Sequence, residues 1–242
     1  MIEVRSLSVG WEHVPILQGM DFEIRDGERF AILGGSGCGK STLLRHLIGL
    51  EEPLAGTVRI DGEPALLRDD RPPRAGVLFQ SAALFGSLTL LENVSLPLRR
   101  WTDLPRDAVE AVALGRLRLV GLGGYENHLP SEVSGGKRKR AGIARALALE
   151  PKLLFLDEPS AGLDPVTSSG LDRLLLTLNQ DLGVTIVFVT HELQSIFDVA
   201  QRCIVLDRDA HGIIASGDPR RLRDSSEDPR VQAFFRRVPS TV

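Results

Sequence analysis

The sequence predicts an α/β fold organised on a mainly parallel sheet, and three observations predict it. Short apolar runs alternate with helical patterns along much of the chain. One of these runs passes directly into a glycine-rich loop and then into a helix. A Leu/Ala/Arg-rich helical tract, about 81–150, interrupts the alternation before the strand pattern returns. At 242 residues the chain suits one α/β unit with an inserted sub-domain. The expected division is a core at about 1–80 and 151–217, the helical insertion at about 81–150, and a C-terminal helical extension at about 218–242.

Each element has its own local reason. Ile2–Val9 alternates as a strand, Phe22–Ile24 is a second, and Arg29–Leu33 is a third that runs into glycines. Lys40–Gly49 places Leu43, Leu44, Leu47 and Ile48 on one helical face, with Gly49 as the stop. Thr57–Ile60 meets an Asp61-Gly62 turn, the mark of a hairpin in a small antiparallel section. Ala75–Phe79 is the next strand. Pro97, Pro105 and the Gly121–Gly124 run are expected to divide the helical tract. Strands return at Leu153–Leu156, Thr185–Val189 and Cys203–Leu206, with a helix over Asp164–Leu182. Asp218–Val242 reads as helical turns rich in Arg and Asp.

Composition excludes several classes. Hydrophobic residues at 43% and charged residues at 25% rule out a disordered or collagen-like chain. With 29 Lys+Arg against 32 Asp+Glu the formal charge is −3, without the basic excess of a nucleic-acid binder, so no nucleic-acid partner is expected. Two cysteines, Cys38 and Cys203, form no disulfide framework and fit a reducing compartment. The N-terminus carries no apolar signal core, and the longest apolar runs fall far short of a membrane span. The expectation is a cytoplasmic protein whose membrane role comes through a partner.

The residues with chemistry lie at strand ends and helix starts. Gly34-Gly35-Ser36-Gly37-Cys38-Gly39-Lys40-Ser41 fits G-x-x-x-x-G-K-[ST] between a strand and a helix. Its glycines let backbone N–H groups curl around a phosphate, and the helix dipole adds to the attraction. Lys40 then reaches the β- and γ-phosphates, Ser41 ligates Mg²⁺ and Thr42 holds the α-phosphate. The run Leu153–Leu156 delivers Asp157 and Glu158 at the edge where a ligand crevice belongs. Asp157 is placed to hold Mg²⁺, and Glu158 to polarise an attacking water. Ser134-Gly135-Gly136 opens the helical stretch Lys137–Leu149, giving a second anion cradle, although Ser-Gly-Gly seen alone is an ordinary N-cap. Two cradles on one nucleotide require two chains paired head to tail under two-fold symmetry. His191 ends another apolar run, where it can donate to a γ-phosphate and sense its loss. Gln80, at a strand end, can orient water and Mg²⁺, and Trp11 offers a flat face for an adenine. His13, His46, His128 and His211 read as surface or boundary residues.

Together these residues resemble the ATP-binding subunit of an ABC transporter, over about Ile2 to Asp218. Trp11 matches the adenine-stacking aromatic, Gly34–Thr42 the Walker A loop and Gln80 the Q-loop residue. Ser134-Gly135-Gly136 matches the signature, Leu153–Asp157 the Walker B strand and Glu158 the catalytic glutamate. Ser160–Asp164 matches the D-loop and His191 the switch histidine. The resemblance implies a P-loop NTPase (RecA-like) core, ATP and Mg²⁺ as ligands, and a homodimer in which one subunit's signature completes the other's ATP site. It departs at Lys137, where the family usually has glutamine contacting ribose; a lysine there can neutralise phosphate charge. The run Lys137-Arg138-Lys139-Arg140 reads as mixed ATP-site and solvated groups.

Finer text is similar to the Mla/Mce-type lipid-transport ATPases: Phe79–Phe85, Glu92-Asn93-Val94, Leu96–Arg99, Leu129–Glu132, Arg140-Ala141-Gly142 and the tail Asp228–Phe235. That branch implies an MlaE-like permease, an MCE-domain protein reached through it, a small STAS-type subunit, and phospholipid or other hydrophobic cargo. Its C-terminal segment helps to join the two subunits. Three other classes share parts of the pattern. A regulatory ATPase of a membrane-bound, cell-division type complex would carry the same nucleotide motifs. A non-transport cassette usually adds coiled coils or a second cassette, and a small-molecule kinase needs an acceptor substrate.

Overall fold

The computed structural model describes residues 1–11, 13–68 and 70–236, and its chain divides into two units, Met1–Leu67 with Thr185–Val242, and Arg68–Val184. In chain order the elements are β1 (Ile2–Trp11), β2 (Val14–Ile24), β3 (Arg29–Gly34), α1 (Lys40–Ile48), β4 (Ala55–Ile60), β5 (Glu63–Pro64), β6 (Gly76–Leu78), α2 (Leu90–Trp101) and α3 (Arg106–Leu119). There follow α4 (Gly135–Ala146), β7 (Leu153–Asp157), α5 (Pro165–Leu182), β8 (Thr185–Val189), α6 (Leu193–Val199), β9 (Arg202–Asp207), β10 (Gly212–Gly217), α7 (Pro219–Ser225) and α8 (Pro229–Arg236). The last six positions of the expected C-terminal extension, 237–242, lie outside the described residues.

In the first unit an antiparallel sheet runs in the order β2-β1-β4-β5. Ile2, Val4, Leu7 and Val9 of β1 are all buried, and the register shifts between Val4 and Leu7, where Ser6 adopts φ 46°. Pairing with β1 extends the second strand back to Val14, well before the Phe22–Ile24 core that composition marks. The Asp61-Gly62 turn closes β4 onto β5 with φ 50° and 80°, the left-handed pair that a tight hairpin needs. Beside this sheet in sequence space, β3 lies parallel to both β8 and β9, and β10 pairs antiparallel with β9. Residues Phe30–Leu33 and Thr185–Val189 are buried throughout, as strands covered on both sides must be. Arg202 ties the unit together: its guanidinium grips Glu28 bidentately at 2.7 and 2.9 Å, donates to the Glu23 carbonyl at 2.6 Å, and lies over the Phe30 ring.

In the second unit β6 pairs parallel with β7, and α2, α3 and α4 pack on one another. Helix α2 opens with a capping box: the Thr89 hydroxyl accepts the Glu92 N–H and the Glu92 carboxylate accepts the Thr89 N–H. Pro97 does not divide this helix, contrary to expectation. The apolar face Leu90, Val94 and Leu98 is buried, so packing outweighs the lost N–H. The signature helix also starts two residues earlier than expected, because Ser134 caps it and Gly135 and Gly136 join its first turn.

Candidate functional site

The first unit carries the phosphate-loop side. β3 ends at Gly34, φ 146°, where an added Cβ would sit 2.4 Å from the Leu206 carbonyl oxygen and 2.6 Å from the Cys38 sulfur. Only glycine fits. At Gly35 and Gly37 the same Cβ would meet nothing within 4 Å, so the loop's outer rim is open. Gly39, left-handed at φ 98°, caps α1 without any side-chain hydrogen bond, and the first turn holds no acid. This helix start therefore carries neither an acid nor a capping side chain that would oppose a phosphate. The Lys40 ammonium donates to the Gly34 and Gly35 carbonyls at 2.9 and 2.8 Å, folded over the same loop. Burial pushes the Cys38 thiol pKa up, which makes it a packing group under the loop.

Parallel register brings His191 to this side. Ile32 pairs with Val189, so Gly34 and His191 stand two residues beyond one pairing step. His191 is 58% exposed at its side chain, with Nε2 3.6 Å from the Glu192 carboxylate. Trp11 is the last residue of β1, 46% exposed, with the Arg45 guanidinium of α1 5.8 Å from its ring centroid. His46, expected as a surface or boundary residue, is buried, and its Nδ1 meets the Thr42 carbonyl at 2.8 Å. Helix packing turned it inward, because Leu43, Leu44 and Leu47 do not exhaust the buried face.

The second unit carries the acid and signature residues. Leu78 pairs with Leu156, so Gln80 and Glu158 each lie two residues beyond one pairing step. Gln80 is exposed, and Asp157 is the last residue of β7. Glu158 takes φ 47°, a left-handed conformation uncommon outside glycine. Its carbonyl accepts the Lys139 ammonium at 2.8 Å and the Ala161 N–H at 3.2 Å. Asp164 caps α5 by accepting the Val166 and Thr167 N–H groups at 3.1 and 3.0 Å. The Thr167 hydroxyl, then these backbone bonds, hold its carboxyl below the usual range. Ser134 caps α4 by accepting the Lys137 N–H at 3.4 Å. An added Cβ at Gly136 would lie 2.3 Å from Thr167 Cγ2, so the starts of α4 and α5 meet at a glycine.

The basic run departs from expectation. None of its four members is an exposed, solvated group. Lys137 Nζ lies 3.8 Å from the Tyr125 ring centroid, a cation–π contact inside its own unit. Arg138 donates to the Val133 carbonyl at 2.7 Å, and Arg140 to the Val120 and Gly170 carbonyls at 3.0 and 2.9 Å. Lys139 is buried. Sequence reasoning saw the charges but not that main-chain oxygens would receive them. Asn93, named in the sequence only as part of the family text, is fully buried, accepts the Phe85 N–H and donates to the Phe85, Leu88 and Thr89 carbonyls.

The donor chemistry fits nucleotide and Mg²⁺. Ser41 offers a hydroxyl, Gln80 an amide oxygen and Asp157 a carboxylate, all hard oxygen ligands. Among the described residues no three His, Cys, Asp or Glu side chains form a metal-binding cluster. No helix among the described residues is long and apolar enough to cross a membrane.

Residues 17–161 match the family model described as ABC transporter. The chain is 39% identical over 240 residues to the ribonucleotide transport ATP-binding protein mkl of Mycobacterium leprae, covering 97% of this chain and 68% of that one. It is 38% identical over 240 residues to the intermembrane phospholipid transport system ATP-binding protein MlaF of Escherichia coli, covering 97% and 88%. Among solved structures it is similar to a dimeric ATP-binding cassette in a post-hydrolysis state bound to ADP and Pi, with TM-score 0.79, 32% identity and coverage of 90% and 98%.

Proposed function

The chain belongs to the ABC transporter family as an ATP-binding subunit with ATPase activity, and from that membership we propose that it drives the movement of phospholipid or other hydrophobic cargo. The observation that carries the reading is its match to the phospholipid-transport relative across 97% of this chain and 88% of that protein. Its partners on this reading are a second copy, an MlaE-like permease, an MCE-domain protein reached through the permease, and a small STAS-type subunit.

The residues divide the work. Trp11 stacks the adenine. The N–H groups of Gly35–Gly39 and the start of α1 hold phosphate oxygens, Lys40 neutralises the β- and γ-phosphates, and Thr42 holds the α-phosphate. Ser41, Gln80 and Asp157 would hold Mg²⁺, which when bound would supply neutralisation of phosphate charge. Glu158 accepts a proton from the attacking water, and His191 donates to the γ-phosphate. Ser134, Gly135, Gly136 and Lys137 complete the site of the opposite subunit, with Asp164 ordering the neighbouring loop. ATP thereby becomes the bridge between two copies, and its hydrolysis releases them.

Affinity purification from gently solubilised native membranes, followed by mass spectrometry, tests the reading. Recovery of an MlaE-like permease together with an MCE-domain protein is expected. A permease of another class moves the cargo elsewhere, and a complex without any permease overturns the transport role while leaving the ATPase in place.

A further inference from the structure

Helix α4 does something to the site loops that its signature residues do not account for. Among its described residues the second unit contains four non-glycine residues with positive φ: Ala82, Ala83, Glu150 and Glu158. Ala82 and Ala83 lie just past Gln80, and Glu158 just past Asp157. The carbonyls of all three site-loop residues receive a cation from α4. Arg145 donates to Ala83 at 2.7 Å and Ala82 at 3.0 Å, and Lys139 donates to Glu158 at 2.8 Å. Left-handed backbone is unfavourable for a non-glycine residue and persists only where neighbours hold it. Here the holding groups are identified.

Lys139 is the more telling of the two. It is 6% exposed, and lysine is almost never buried without a partner. Burial pushes its ammonium pKa down, against the attraction of Asp157 and Glu158. A methionine or leucine would fill the same space without desolvating a charge. Beside its attraction to Asp157 and Glu158, the ammonium adds a donor for the Glu158 carbonyl, which already anchors the turn to Ala161.

We propose that Lys139 is a positioning residue for Glu158: by donating to its carbonyl it fixes the left-handed peptide from which the carboxylate is presented to water. Lys139 lies five residues after Ser134 on the same helix. The bond therefore makes the signature helix and the water-activating residue one body. The proposal rests on the reading of Glu158 as the proton acceptor.

The test measures kcat, KM for ATP and melting temperature for the purified chain and for Lys139→Met, Lys139→Arg and Glu158→Gln. Lys139→Met keeps the apolar stem and removes the donor. It is expected to lower kcat by about 10- to 100-fold, the scale of a small misplacement of a reacting group, with KM changed by less than about threefold. Lys139→Arg keeps a donor and is expected to retain kcat within about threefold. A Met variant with unchanged kcat overturns the proposal. So does a raised KM at unchanged kcat, which makes Lys139 a nucleotide contact. Equal losses in the Met and Arg variants, each with a lowered melting temperature, overturn it in favour of plain packing. If Glu158→Gln hydrolyses ATP normally, the reading of Glu158 itself fails, whatever the Lys139 variants do.

Discussion

The starts of α1 and α4 are both glycine-rich, and in sequence both resemble anion cradles, yet they are built oppositely. At α1 the cap is a left-handed glycine with no side-chain hydrogen bond, and the lysine that follows folds over the loop. At α4 a serine caps the helix from its own side chain, and the lysine of the first turn is drawn to Tyr125. The α1 start has no side-chain cap and no acid in its first turn. The α4 start is capped from within its own unit. The comparison teaches that glycine serves two ends. At Gly34 it permits a backbone path no other residue takes, and at Gly136 it permits two helices to touch.

The sharpest way to break this contrast is to compare nucleotide binding in two variants. Lys40→Ala is expected to weaken ATP binding by about 10- to 100-fold, the value of one charged hydrogen-bonding group. Ser134→Arg is expected to leave ATP affinity of the single chain within about threefold while turnover collapses, because the arginine obstructs the opposite subunit's nucleotide. Fluorescent-nucleotide titration beside a phosphate-release assay reads both. Equal loss of affinity in the two variants would put Ser134 in its own chain's site.

Stability separates the two glycines next. Gly34→Ala sets a Cβ against a backbone oxygen that cannot yield, at a φ that L residues rarely adopt, and is expected to cost about 2–4 kcal/mol. Gly136→Ala meets the end of a side chain instead. Thr167 can move only by giving up its hydrogen bond to Asp164, so about 1–3 kcal/mol is expected. Urea unfolding of both variants checks the order, and a cheaper Gly34→Ala would reverse it.

The smallest effect concerns the cap of α5. The Asp164 carboxyl is held below its ordinary value of 3.8 by the Thr167 hydroxyl and two backbone N–H groups. With a depressed folded pKa, its contribution is complete above the unfolded value and is lost as pH falls through the folded one. The melting temperature should therefore drop below about pH 4. Asp164→Asn, still a good cap but unable to titrate, should flatten that part of the profile. An unchanged acid slope would remove Asp164 from the acid response.

Much of the site was legible because its parts are local in the chain. A strand, a glycine loop and a helix follow one another within Arg29–Ile48, and an apolar run ending in two acids marks its own strand end. Parallel pairing then carries Gly34 level with His191, and Gln80 level with Glu158, with no further instruction. Composition also set the charge balance and the alternation of helix and strand. Tertiary structure decided the rest. Pro97 stays helical because its helix has a buried face, and His46 turns inward because its helix does. The basic residues of α4 find carbonyls 19, 30 and 62 positions away in sequence. A carbonyl oxygen is the same on every residue, and a left-handed φ at an alanine or glutamate leaves no mark in composition or spacing. A buried cation can therefore be recognised from sequence as a charge, but the oxygen that receives it is selected only when the helix packs.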